Sequence, residues 1–171
     1  MNHDDALRQL SHMAHERAFG LHVGSDRLVQ AGLDALMAGV ESPSIAILAG
    51  LLRREEPEAP ALFQQVLEEL GLLFEPPVDF EDDRWAFADW IASRIVDGYL
   101  DPAVGARLIW SDVDAELGCP EDLMSLVRYA VDLDGWDENC GVSVDALKQA
   151  TIEAAAELLS KRRPPCSTVP G

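Results

Sequence analysis

The 171-residue chain is 48% apolar and carries a formal net charge of −18, so it can build a real core and is too apolar for wholesale disorder. The charge is uneven: residues 55–140 hold 22 acids against four bases, Arg84, Arg94, Arg107 and Arg128, while the remainder is neutral overall. Such a field repels DNA, RNA and anionic lipid and favours a basic protein partner.

No apolar run is long enough for a transmembrane helix. The start, MNHDDALRQL, is acidic where a signal peptide is basic, which makes the cytosol the expected location. Leu and Ala number 23 and 22, about twice Val, Ile and Thr together. Leu and Ala are strong helix formers. The expected fold is all-α: a single-domain bundle of about eight short helices, over residues 1–160.

A first helix is predicted from Asp4 to about Arg17, with Leu7, Leu10 and Ala14 on one side. His12, His15 and Glu16 share its neighbouring turns. Imidazoles and a carboxylate on one helical face are the donor types a transition metal takes. H-E-x-x-H is absent, however, and a solvated first helix is the simpler reading. Ser25 is placed to cap a second helix carrying Leu28, Val29, Leu33, Leu36 and Met37, a steps-of-three-and-four pattern. Gly39 ends it, and Ser42-Pro43 opens a third running to about Leu52. A fourth, about Ala59 to Leu70, carries Leu62, Phe63, Val66 and Leu67 and stops at Gly71.

Paired prolines in FEPPVDFEDD, residues 74–83, break the helical pattern. Segment 74–79 therefore reads as a linker between possible halves 1–73 and 80–160. The fifth helix is predicted from about Glu81 to Asp97, with Trp85, Ala88, Ile91, Ala92 and Ile95 as its buried stripe. The sixth runs from Pro102 to near Leu117, and the seventh opens at Cys119-Pro120. Ser143 caps the eighth, whose stripe is Val144, Leu147, Ala150, Ala154 and Leu158. Residues 161–171, KRRPPCSTVPG, read as a disordered basic tail.

One phrase recurs: Gly-x-x-[Ser/Asp]-Pro, at Gly39–Pro43 and Gly98–Pro102. Glycine ends a helix in the left-handed region, Ser or Asp accepts free amide hydrogens of the next helix, and proline occupies its first turn. Both read as helix-to-helix corners, not as ligand loops.

The chemistry-bearing candidates are few. Cys119 sits at an expected helix start, where the dipole favours thiolate, but Glu121 and Asp122 oppose it. Cys119, Cys140 and Cys166 form no paired spacing and read as reduced thiols. The acidic loop DLDGWDENCGVSVD has the wrong register for an EF-hand. No Gly-rich phosphate loop, nucleophile elbow or zinc spacing occurs, and no cofactor is expected.

All four tryptophans fall in the acidic half. At 100° per residue Trp85, Phe87 and Trp90 cannot all point inward, and exposed aromatics among carboxylates suit an arginine-bearing partner. The expected contact set is Trp85, Asp89, Trp90, Asp112, Asp114, Glu116, Trp136 and Asp137. The expected function is an acidic protein-binding module, an inhibitor, immunity- or antitoxin-like protein or accessory subunit, docking a basic partner. The rival reading is a small helical enzyme, or accessory enzyme of a biosynthetic pathway, with a pocket built on His12, His15 and Glu16 or on acids and arginines of the fifth and sixth helices.

AGLDALMAGVESPSIAILAGL, IVDGYLDPAVGARLIW and the stretch LVRYAVDLDGWDENCGVSVDALKQATIEAAAELL resemble segments of small, acidic, all-helical bacterial proteins. In those proteins a Trp-Asp pair, here Trp136-Asp137, precedes the last helix. The likeness covers roughly residues 25–160. It implies an all-helical fold and supplies no catalytic residue.

Overall fold

The computed structural model describes residues 1–162. Eight α-helices and no strand occur among them: α1 (His3–Ala18), α2 (Ser25–Met37), α3 (Ile45–Ala49), α4 (Ala59–Leu70), α5 (Phe80–Val96), α6 (Pro102–Ile109), α7 (Met124–Asp134) and α8 (Val144–Arg162). The fold is all-α, as the Leu and Ala content implies. Among the described residues no helix is long and apolar enough to cross a membrane.

Contacts gather into two compact units, Met1–Pro76 and a second beginning at Pro77. The division falls between the paired prolines of the predicted linker. In the first unit α2 packs on α3, and both pack on α4. Leu10, Leu28, Ile45, Leu48 and Phe63 form its centre. Helix α1 buries Ala6, Leu10, Met13 and Ala14. The expectation of a solvated first helix is therefore wrong; its stripe is wide enough to dock.

In the second unit α5 packs on α8, α6 on α7, and α7 on α8, around Phe87, Ile91, Ile95, Ile109, Leu123 and Leu126. Gly105 permits the close approach of α6 to α5. A Cβ there would lie 2.6 Å from Ile95 Cδ1 and Cγ1.

The two corners differ. At the second, Gly98 has φ +74°, and Asp101 accepts the amides of Ala103 and Val104 at 2.9 and 3.4 Å. Pro102 is the first helical residue, so each part does what its type suggests. At the first, Gly39 has φ +80°, but Ser42 caps nothing. Its hydroxyl donates to Glu69 of α4, and α3 begins only at Ile45, after Pro43 and Ser44 form a turn. A tertiary carboxylate outcompetes the local cap. Ser25 likewise lies inside α2, with Gly24 at the cap position.

The expected sixth helix is interrupted: α6 passes into a π-helical turn, Trp110–Asp114. The seventh starts later than predicted, because Glu121–Leu123 form a 3-10 turn first. Helix α8 runs to Arg162, so Lys161 and Arg162 of the predicted basic tail are helical. Residues 163–171, with Cys166, lie outside the described residues.

Candidate partner-binding surface

Trp85 and Asp89 stand one turn apart on α5, so their side chains lie on one face. Phe87, not Trp85, joins Ala88, Ile91, Ala92 and Ile95 in the core. Trp85 is left half-buried on the flank. There it meets α8. The Arg162 guanidinium carbon sits 4.0 Å from the centre of the Trp85 ring. Its Nε donates to both Asp89 oxygens, at 2.7 and 3.0 Å. Burial raises the Asp89 carboxyl above its usual 3.8, and the Arg162 hydrogen bond and charge pull it back.

The placement of Arg162 follows from α8 itself. Thr151, Ala155 and Leu158 are its buried residues, and the next step of four along that face is 162. The predicted stripe through Ala150 and Ala154 was one position early. Thr151 can be buried because its hydroxyl donates to the Leu147 carbonyl at 2.7 Å.

Trp90 is half-buried, its ring 6.2 Å from that of Phe87. Arg84, one turn before Ala88, ties α5 to the π turn and to Glu116 just beyond it. It pairs with Asp83 at 2.6 Å and Glu116 at 3.3 Å, and donates to the Asp112 carbonyl at 3.4 Å. The Asp112 carboxylate accepts the Ser111 hydroxyl at 2.8 Å.

Asp114 does not belong on a contact face. It is 9% exposed, its carbonyl accepts the Cys119 amide at 2.8 Å, and its carboxylate raises the Cys119 thiol pKa. That effect opposes thiolate formation. Cys119 itself has φ +57° and precedes the 3-10 turn, not an α-helix.

Trp136 and Asp137 sit in the α7–α8 loop. The Trp136 indole donates to the Val142 carbonyl at 2.8 Å, and Asp137 accepts the Asn139 amide at 2.7 Å. Trp136 also lines a hollow of about 410 Å³ with Val131, Val142 and Leu147. Both residues thus organise their own loop, and Asp137 is exposed.

The histidine group is split. His12 Nε2 lies 3.7 Å from Glu16 Oε1, and Glu16 also meets Arg27 at 3.4 Å. Desolvation raises the Glu16 carboxyl pKa, against the pull of Arg27. His15 instead places Nδ1 2.7 Å from the Ser11 carbonyl oxygen and stacks on Phe74, ring centres 4.1 Å apart. Among the described residues no group of three or more His, Cys, Asp or Glu side chains could hold a metal ion. A hollow of about 270 Å³ opens on the same unit, with walls that include Ala14, Arg17, Gln64, Leu67, Phe74 and Glu75.

No family model, curated protein or solved structure matches this chain. Its functional reading therefore stands on its own residues.

Arg162 is the residue that sequence reasoning missed. Its signal was register: it lies one step of four beyond Leu158 of the predicted stripe and ends the face that Thr151, Ala155 and Leu158 bury, but residues from 161 on read as tail.

Proposed function

We propose that the chain is an acidic helical protein-binding module, acting as an inhibitor, immunity- or antitoxin-like protein or accessory subunit, that docks a basic protein partner in the cytosol. The observation that carries this reading is the outward placement of charge. Of the 22 acids between residues 55 and 140, Asp114 alone is buried, and 16 are exposed. Carboxylates directed at water rather than around an enclosed pocket leave a long-range field that speeds encounter with a cation-bearing surface. Half-buried indoles beside them supply apolar area for the docked state. The same field disfavours direct contact with nucleic acid.

An enzyme built on His12, His15 and Glu16 would need those groups to converge on a pocket. The hollow nearest in sequence contributes one carboxylate, Glu75, and one guanidinium, Arg17, which gives that reading no comparable support.

The test is kinetic. A partner captured from the native host should associate at least about tenfold more slowly when salt rises from low to above-physiological concentration. An association rate that ignores ionic strength overturns the proposal.

A further inference from the structure

Three features of the second unit converge on one small place. On α5, Trp85 offers an indole face and Asp89, one turn on, offers a carboxylate. On α8, the buried face ends in a cation, Arg162. The guanidinium lies at 4.0 Å over the Trp85 ring while its Nε reaches both Asp89 oxygens at 2.7 and 3.0 Å. Stacking and charge-assisted hydrogen bonding act together there, an arrangement that suits a planar guanidinium and not a lysine ammonium. The pair is partly open to solvent: the Arg162 and Asp89 side chains are 29% and 33% exposed.

We propose that Trp85 and Asp89 form an arginine-receiving cleft, filled by Arg162 in the free protein and by an arginine of the basic partner in the complex. The inference rests on the docking function proposed for the chain and adds its recognition element and its control. Arg162 acts as a built-in competitor. Its departure would leave a half-buried carboxylate beside an indole, a combination that calls for another cation.

Several contacts separate this cleft from other ion pairs in the unit. Lys161 reaches Glu157 on its own helix at 3.1 Å, and Arg94 reaches Asp97 within α5 and its cap at 2.8 Å. Lys148 meets Asp101 at 2.7 Å, but Asp101 is already committed as the cap of α6. Arg84 also lies over a ring, Phe87 at 5.1 Å, while reaching Glu116 at 3.3 Å, but Phe87 is fully buried. At Asp89, by contrast, the carboxylate and the Trp85 ring that share Arg162 are both only half-buried.

The experiment titrates hexa-arginine and hexa-lysine peptides into the full chain by calorimetry, for wild type, R162A, K161A and R162A/D89N. K161A removes the same charge outside the cleft. Emptying the cleft is expected to tighten hexa-arginine binding about fivefold in R162A, as expected when a competing closed state is removed. K161A should stay within about twofold of wild type, and D89N should cancel the gain. Hexa-lysine should gain no more from R162A than from K161A. If R162A loses helicity by circular dichroism, R162Q, which keeps much of the aliphatic stem, takes its place with the same expectation. Equal gains in R162A and K161A would show only bulk charge, overturning the cleft while salt-dependent peptide binding keeps the docking reading alive. Absence of binding by every variant would overturn both.

Discussion

The two units manage negative charge in different ways. In the first, the most heavily used carboxylate serves neutral groups. Glu69 accepts the Ser42 hydroxyl and, at 2.7 and 3.0 Å, the Ser44 hydroxyl and amide. Ser44 is buried; Glu69 satisfies its amide, and its hydroxyl also lies within reach of Gln65 at 3.3 Å. In the second unit two arginines that pair with acids also lie over rings: Arg84, paired with Asp83 and Glu116, over Phe87 at 5.1 Å, and Arg162, paired with Asp89, over Trp85 at 4.0 Å. A carboxylate bonded to hydroxyls and amides is a fixed structural part. One bonded to a half-exposed arginine can exchange that arginine for another, which is the ground for the proposed arginine-receiving site on α5.

The comparison can be broken most forcefully at the two cores. Phe63 and Phe87 are each fully buried, and Phe63→Ala and Phe87→Ala are each expected to cost about 3–5 kcal/mol. Urea denaturation gives the size, and hydrogen exchange should show the loss of amide protection greatest in the unit that carries the ring. A Phe87→Ala cost well below that of Phe63→Ala would mean that the second unit leans on its ion pairs more than on its core.

Next in size are the two close helix contacts. Gly105→Ala must push Ile95 aside from 2.6 Å and should destabilise by about 1–3 kcal/mol. Gly32→Ala meets Leu48 Cγ at 2.9 Å and should cost less. Thermal melts of both variants rank the contacts, and the reverse order would place the tighter packing in the first unit.

The smallest and most selective effect is with pH. Hydrogen bonds from Ser42 and Ser44 hold the Glu69 carboxyl below its usual 4.5. Its stabilisation is therefore present above the unfolded-state pKa and lost as pH falls through the lower folded-state value. Asp89 has the opposite sign. Burial raises it above 3.8 despite Arg162, so its contribution is present at low pH and lost as pH rises through the raised value. Glu69→Gln should make the acid limb of the stability curve shallower, and Asp89→Asn should make it steeper. Urea midpoints measured between about pH 6 and pH 3 would reveal both, and the same change of slope in the two variants would contradict the assignment.

Much of the architecture was legible from residue types alone. Helix α4 occupies the predicted Ala59–Leu70 and ends at Gly71 with φ +67°, because stripe, start and stop all act within a few residues. The Gly98–Pro102 corner formed as read for the same reason. The Gly39–Pro43 corner did not, since Ser42 found Glu69, 27 residues away in sequence. The contact set behaved likewise. Trp85 and Asp89 are neighbours by helical spacing, but Asp114 turned inward and Trp136 gave its N–H to its own loop.

Sequence by itself determined the all-helical class, the linker prolines and the concentration of acids in the middle of the chain, because these depend on local propensity and on counting. Helical spacing sets pairs such as Lys161–Glu157, but tertiary structure alone decided the pairs between distant segments. Arg162 and Asp89 are 73 residues apart, and their meeting depends on α5 and α8 packing in one register. No periodicity within either helix contains that information.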